Sequence, residues 1–200
     1  MNTVTERDAQ LFREKGGLLR TREALKGGIH PRTLYAMRDA GEIERAARGV
    51  YRLAGLPPLS DPDLAIVAKR SPSSVVCLIS ALSIHELTTR VPHAVQIATL
   101  PGRRPPRIAH PPIEAFHFSN KALAAGVEEH LIDGAKVRIF NAEKTLADAF
   151  KFRNRIGLET AVEALRNYAR RKRKRLDLIM EYARICRVEK IMRPYLEALS

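Results

Sequence analysis

The 200-residue sequence has few of the features that mark metalloproteins, secreted proteins and membrane proteins. Its two cysteines, Cys77 and Cys186, are far apart and outside any CxxC or histidine-rich pattern, which predicts neither a zinc site nor a disulfide framework. No run of about 18 apolar residues is present, and the N-terminal string MNTVTERDAQ does not have the pattern of a signal peptide. We therefore expect a soluble, cytoplasmic protein.

The sequence also lacks the short motifs of nucleotide-dependent and hydrolytic enzymes. It has no phosphate-binding loop of the type GxxxxGKS/T, no dinucleotide-binding GxGxxG and no nucleophile elbow GxSxG. His85 and Glu86 stand in the string HELTT, which lacks the second histidine of the HExxH zinc-protease pattern. We therefore predict no catalytic residues, no metal site, no cofactor and no enzymatic activity.

Two groups of titratable residues nevertheless allow a catalytic interpretation. His85 is predicted on an apolar helix, where a packed histidine with a satisfied hydrogen bond is the structural alternative. Lys144 and Asp148 are spaced i, i+4, where an ion pair worth a few tenths of a kcal/mol explains them. A nucleic-acid-processing enzyme that uses His85, Glu86 and Asp148 requires these groups to converge in one cleft.

Positive charge is in excess and unevenly distributed. The chain has 35 Lys and Arg against 22 Asp and Glu, a formal charge of +13. Residues 151–200 are the most basic part, and residues 111–150 are slightly acidic. A polyanionic partner is favoured because each neutralised phosphate releases a counterion. Nucleic acid is therefore the predicted partner, and a motif must distinguish this from a merely basic surface.

Residues 1–56 have the pattern of a helix-turn-helix. Thr21 is the predicted N-cap of a helix that ends before Gly27-Gly28, and His30 is the predicted N-cap of a second helix that ends at Gly41. Leu34 and Met37 form the inner side of the second helix. A helix in the major groove presents its N-terminal outer residues to bases and phosphates. The predicted DNA contacts on this helix are Arg32, Thr33 and Tyr35, and Arg38 is predicted to contact phosphate or an acidic neighbour.

The segment after this helix alternates and reverses at Ala47-Arg48-Gly49, which predicts a two-stranded hairpin, the wing. Guanidinium groups on such a hairpin reach the phosphate backbone or the narrow minor groove. The predicted wing contacts are Arg45, Arg48 and Arg52. Short helices with a hairpin also occur in protein-interaction modules, so both interpretations stay open.

The remaining chain mixes strands and helices. Gly55-Leu-Pro-Pro58 marks a predicted boundary between a winged helix-turn-helix domain, residues 1–56, and a second domain of mixed strands and helices, residues 57–200. A helix capped by Ser73 or Ser74 comes first, and a hairpin turn is predicted at Asp133-Gly134. The predicted strands are 94–100, 113–118, 129–132 and 136–140, and the predicted helices after an Asn141 cap are 142–153, 158–173, 176–186 and 189–199. The expected fold class is α+β, with a helical C-terminal segment.

Two segments concentrate exposed cations. Residues 101–112 hold five prolines and are predicted to form an extended loop that exposes Arg103, Arg104 and Arg107. Residues 170–175 are six consecutive cations at a predicted helix end, where the helix dipole relieves part of their repulsion. The run is either a solvated helix end or an additional polyanion contact. Its residues are Arg170, Arg171, Lys172, Arg173, Lys174 and Arg175.

Residues 34–53, LYAMRDAGEIERAARGVYRL, resemble the winged helix-turn-helix of AbiEi-family antitoxins. The segments similar to that family's second domain are Ser80–Thr88, Ala142–Asn154 and Ala183–Leu196. The resemblance implies a bacterial type IV toxin–antitoxin component that represses its own operon at inverted repeats and counteracts a nucleotidyltransferase-like toxin. It implies DNA contacts from Arg32, Arg45 and Arg48, and it maps no antitoxic residue.

Three functions follow from these observations. The first is an autorepressor that binds double-stranded operator DNA and is also an antitoxin. The second is an antitoxin that meets the toxin directly through its basic surface, and the third is a transcriptional regulator without antitoxin activity. Binding to the promoter of its own gene separates the first from the second. The sequence does not give the operator, the mode of antagonism or the oligomeric state.

Overall fold

A computed structural model describes residues 6–198, and the chain within it forms two compact units. The first unit contains the chain up to Ser73 together with Pro106–Pro111 and His130–Val137. The second contains Ser74–Pro105, Pro112–Glu129 and the chain from Arg138. Helices and strands occur in both units, which confirms the predicted α+β class.

The first unit contains the elements expected of a winged helix-turn-helix. Its sheet has the order β1-β3-β2, with both pairs antiparallel. The elements are α1 Glu6–Glu14, β1 Leu18–Arg20, α2 Thr21–Lys26, α3 Pro31–Asp39, β2 Ile43–Ala47, β3 Val50–Leu53 and α4 Pro62–Arg70. The two predicted helices and the hairpin are confirmed, whereas α1 and β1 were not predicted.

A hydrophobic core joins α1, α2 and α3 to the sheet of the first unit. The side chains of Phe12, Leu34 and Met37 are completely buried, and Leu19 and Ile43 pack with them. Burial of apolar surface is worth about 25 cal/mol per Å². The inner side of α3 is thereby fixed against the unit, which leaves its outer side for solvent.

The starts of the two helices differ in how they are capped. His30 caps α3 as predicted, because its Nδ1 accepts a hydrogen bond from the Arg32 amide at 3.2 Å. Thr21 does not cap α2, and that prediction is wrong. Glu23 accepts from the Arg20 amide at 2.8 Å instead. The Thr21 amide donates to the carbonyl of Gly49 at 3.0 Å, so Thr21 is engaged with the hairpin.

The first unit extends beyond the predicted boundary at residue 56. The carboxylate of Asp133 accepts hydrogen bonds from the Ser60 amide at 2.9 Å, the Ser60 hydroxyl at 3.0 Å and the Asp61 amide at 2.8 Å. Gly134 has φ +70°, and a Cβ added there would lie 2.3 Å from the Cα of Gly16. The hairpin turn at Asp133-Gly134 therefore packs against the segment on both sides of the predicted boundary.

The hydrogen bonds to Asp133 predict a pH-dependent contribution to stability. Burial raises the pKa of Asp133, but the hydrogen bonds from Asp61 and Ser60 outweigh burial and hold the pKa below its ordinary value of 3.8. A carboxylate with a lowered folded pKa stabilises the fold above the unfolded pKa, and this stabilisation is lost as the pH falls through the folded pKa.

We expect Asp133→Asn to lower the free energy of unfolding by about 1–3 kcal/mol near neutral pH. Asparagine has one acceptor oxygen where aspartate has two, so at least one of the three hydrogen bonds is lost and the others are no longer charge-assisted. Asparagine tolerates the left-handed φ of +49° at this position, so the turn is kept. Urea unfolding at about pH 7 and about pH 3 measures the effect. A difference between wild type and variant that is equal at both pH values contradicts the prediction.

The second unit is built around a five-stranded sheet with the order β6-β5-β4-β8-β7. The strand β4 pairs antiparallel with β5 and parallel with β8, and β5 pairs parallel with β6. The elements up to the last strand are β4 Val75–Val76, α5 Leu78–Ile84, β5 Val95–Thr99, β6 Ile113–His117, α6 Asn120–Ala124, β7 Val127–Ile132 and β8 Ala135–Phe140, and within the hairpin of β7 and β8 residues 130–137 belong to the first unit. The four predicted strands and the turn at Asp133-Gly134 are confirmed. The predicted Ser73 or Ser74 cap is wrong, because β4 intervenes and α5 begins at Leu78.

Five helices complete the second unit. They are α7 Ala142–Lys151, α8 Arg153–Ile156, α9 Leu158–Ala169, α10 Leu176–Cys186 and α11 Glu189–Glu197. Asn141 caps α7 as predicted, accepting from the Lys144 amide at 2.9 Å. The helix α9 stops at Ala169, earlier than predicted, because the basic run does not continue it. Residue 199, at the predicted end of the last helix, and residues 1–5 lie outside the described residues.

The ion pair between Lys144 and Asp148 has the predicted i, i+4 geometry but not the predicted environment. The Lys144 ammonium lies 2.6 Å from both carboxylate oxygens of Asp148, and both side chains are completely buried. The value of a few tenths of a kcal/mol expected for an exposed pair is therefore wrong for this one.

No helix among residues 6–198 is long and apolar enough to cross a membrane.

Candidate nucleic-acid interface

The helix α3 presents two of its three predicted contact residues to solvent. Arg32 is exposed, and Tyr35 keeps 45% of its surface accessible. Thr33 is only 8% exposed and lines a cavity together with Leu11 of α1. Thr33 lies one turn before the buried Met37, on the inner side of α3, so it does not share the outer side with Arg32 and Tyr35, contrary to the predicted contact set.

Arg38 has the acidic neighbour that was one of its two predicted partners. Its guanidinium donates two hydrogen bonds to the Asp39 carboxylate, at 2.6 and 2.8 Å. These hydrogen bonds and the charge of Asp39 raise the pKa of Arg38. The guanidinium carbon also lies 5.2 Å from the centre of the Tyr35 ring. Arg38 therefore helps to orient Tyr35 on the outer side of α3.

The wing is a tight hairpin whose tip carries an exposed cation. Arg45 and Arg48 are both exposed, the first on β2 and the second in the turn. Gly49 completes the turn with φ +71°, a conformation that glycine adopts without steric cost. The register between β2 and β3 shifts between Arg45 and Ala47, which marks a bulge next to the turn.

The wing tip is held by two side contacts that sequence reasoning missed. The Thr21 amide donates to the Gly49 carbonyl at 3.0 Å. Nη1 of Arg70, at the end of α4, donates to the Arg48 carbonyl at 2.8 Å. Backbone carbonyls have no sequence signature, so no pattern predicts these partners. Both contacts leave the Arg48 side chain exposed.

Arg52 is less exposed than Arg45 and Arg48, and its guanidinium has partners within the protein. It lies on β3 opposite Leu18 of β1 and is partly buried. Its guanidinium donates to the carbonyl of Leu56 at 2.8 Å and to that of Pro57. Its side chain therefore holds the chain that leaves the wing, and we do not keep it among the proposed DNA contacts.

The basic run at residues 170–175 forms the turn between α9 and α10 in the second unit. Arg171 donates to the His85 carbonyl and lies 5.7 Å from the centre of the Tyr168 ring, and the Arg175 amide donates to the Tyr168 hydroxyl at 3.0 Å. Burial and the hydrogen bond to Glu143 raise the pKa of Tyr168 to about 12. The exposed members of the run are Arg170, Lys172, Arg173, Lys174 and Arg175. The run is therefore anchored at two points and exposes cations between them.

The residues considered for catalysis have structural partners. His85 Nε2 lies 2.7 Å from the Phe140 carbonyl, which confirms a packed histidine with a hydrogen bond. Glu86 is exposed, whereas Asp148 is fully buried against Lys144, so the two carboxylates share no solvent-accessible cleft. Within residues 6–198, no group of three His, Cys, Asp or Glu side chains has the arrangement of a metal site.

A solved structure and a family model resemble this protein. No curated protein matches the sequence. The crystal structure of the RV2827C protein from Mycobacterium tuberculosis is similar over 95% of this chain and 79% of that chain, with a TM-score of 0.54 and 13% sequence identity, which shows a shared fold. Residues 8–54 match the family described as "Transcriptional regulator, AbiEi antitoxin". This match includes residues 34–53, the segment in which the sequence predicts a resemblance to the same family.

Proposed function

We propose that this protein binds the promoter of its own operon and represses it, and that it counteracts a toxin of the nucleotidyltransferase type. The observation that carries the proposal is the family match over residues 8–54, the segment that contains the exposed residues Arg32, Tyr35, Arg45 and Arg48. In this proposal α3 enters the major groove and the wing contacts the adjacent backbone.

The positions of Arg32 and Arg48 support two different kinds of DNA contact. Arg32 is at the N-terminal end of α3, the part of a recognition helix that meets base edges. Arg48 is at the wing tip, where a guanidinium meets phosphate or the minor groove. Operators with inverted repeats need two copies of α3 about 34 Å apart, which two bound chains supply.

We expect Arg48→Ala to weaken binding to specific and random duplexes by a similar factor. The affinity falls as salt rises, and one lost phosphate contact makes the slope of log K against log salt less steep by about 0.9. The measurement is a salt series of gel shifts or fluorescence anisotropy with DNA from upstream of the gene. Arg13→Ala is the matched control, because Arg13 is an exposed arginine that already pairs with Glu6.

The outcomes separate the candidate functions. Loss of slope in Arg48→Ala with an unchanged Arg13→Ala supports DNA binding through the wing. Wild-type protein that binds neither duplex supports the alternative of an antitoxin that acts by protein contact. DNA binding without protection of cells from a neighbouring nucleotidyltransferase-like gene product leaves a plain transcriptional regulator.

A further inference from the structure

One guanidinium group holds two surface segments of the first unit. Arg70 donates from Nη1 to the Arg48 carbonyl at 2.8 Å and from Nη2 to the Arg107 carbonyl at 3.3 Å. Arg48 is the wing tip, and Arg107 lies in the proline-rich loop, in the part that belongs to the same compact unit. The wing tip and Arg107 are therefore neighbours, although Arg48 and Arg107 are 59 positions apart in the sequence and no motif connects them.

The two segments are fixed through their backbones and expose their side chains. Arg70 occupies the carbonyl oxygens of Arg48 and Arg107, and both residues are exposed. At the far end of the loop, His110 Nε2 lies 3.8 Å from the Asp63 carboxylate of α4. Prolines restrict φ along the loop. Two cations held at a fixed separation lose less conformational entropy when they bind an anion.

The surroundings of Arg70 are rich in positive charge. Burial lowers the pKa of Arg20, the carboxylate of Glu23 opposes this shift, and the charges of Arg70 and Arg22 lower the pKa further. Lys69 is 3.6 Å from the same Glu23. A concentration of cations of this kind favours a polyanion over a neutral or positively charged partner.

We infer that Arg107 is a second phosphate contact, which with Arg48 forms one cationic edge along the DNA backbone. The inference rests on the proposed DNA-binding function. Because phosphate contacts carry no direct sequence information, Arg107 strengthens binding to specific and random duplexes alike. It adds to the wing a contact that the helix-turn-helix segment alone, residues 8–54, does not contain.

The test uses the full chain, a duplex from upstream of the gene and a random duplex of equal length. We expect Arg107→Gln to make the slope of log K against log salt less steep by about 0.9 on both duplexes. The double variant Arg48→Ala with Arg107→Gln is expected to make it less steep by about 1.8. Arg107→Lys is expected to keep the wild-type slope, since the charge is retained. Arg13→Gln, which removes the same charge from α1, is the control. The substitutions at Arg107 keep the carbonyl that Arg70 binds, so the loop stays in place.

The outcomes are distinguishable from those of the wing experiment. If Arg107→Gln keeps the wild-type slope while Arg48→Ala loses slope, the inference is overturned and the proposed function stands. If wild-type protein binds neither duplex, both fail. If Arg107→Gln leaves DNA binding unchanged but weakens binding to the purified nucleotidyltransferase-like toxin, the loop is a protein-binding surface and the inference is likewise overturned.

Discussion

Replacement of Asp148 by asparagine is expected to lower the free energy of unfolding by about 3–5 kcal/mol. The substitution removes the carboxylate but leaves the Lys144 ammonium, which is completely buried. The centres of the Phe140 and Phe118 rings lie 4.2 and 5.0 Å from this ammonium, and ring faces compensate only part of the lost carboxylate. Urea or thermal unfolding of the full chain measures the change.

The carboxylate of Asp148 also has a thiol partner. Cys186 Sγ lies 3.2 Å from Asp148 Oδ1 and donates to it. Burial, followed by the charge of Asp148, raises the pKa of Cys186 to about 12, which keeps the thiol protonated as a donor. Burial raises the pKa of Asp148 as well, although the Lys144 ammonium acts in the opposite direction. The cluster is therefore a coupled, desolvated network.

A double substitution supplies the control for this prediction. In Lys144→Met with Asp148→Asn, no charge is stranded in the core, so the double variant is expected to be more stable than Asp148→Asn alone. Cys186→Ala should cost much less than Asp148→Asn, because it leaves the ion pair intact. A stability loss below about 1 kcal/mol for Asp148→Asn contradicts the buried-pair interpretation.

Arg32→Ala is expected to reduce specific DNA binding by about 1–3 kcal/mol, a loss of about 5- to 150-fold. Arg32 is exposed at the start of α3, where a guanidinium makes two hydrogen bonds to a guanine edge in the major groove. Random-sequence DNA offers this contact only by chance. The ratio of specific to random binding is therefore expected to fall with the affinity.

Two comparisons give this prediction its control. Arg48→Ala is expected to weaken both duplexes and leave the specificity ratio near the wild-type value, since its proposed contact is to phosphate. Arg32→Lys keeps the charge but not the planar fork, so it should retain the salt slope and lose specificity. Equal losses on specific and random DNA in Arg32→Ala would place Arg32 on the backbone instead of on the bases.

Local sequence signals predicted the elements that carry the proposed contacts. The His30 cap, the apolar pair Leu34 and Met37, and the turn residue Gly49 depend on neighbouring residues, so they were readable without tertiary information. The failures have the opposite cause. Thr21 has the chemistry of a cap, but its amide and its hydroxyl both donate to the Gly49 carbonyl, which is distant in the sequence.

The exposure of two predicted contact residues was predicted wrongly, for different reasons. Thr33 was predicted to flank the reading side of α3, but it lies four positions before Met37, a spacing that places it on the buried side of the helix. Arg52 stands in the alternation of the wing, yet the carbonyls of Leu56 and Pro57 hold it. For Arg52 the deciding partners are backbone carbonyls, which have no sequence signature.

The amino-acid order alone determined the helix-turn-helix, the wing, the strand pattern and the basic character of the protein, because caps, turns and hydrophobic period act over a few residues. The tertiary structure decided which cations remain exposed, how Arg70 joins Arg48 to Arg107, and that Lys144 and Asp148 are desolvated. The physical reason is that burial and backbone hydrogen bonds between distant segments depend on how elements pack, and packing has no local sequence signature.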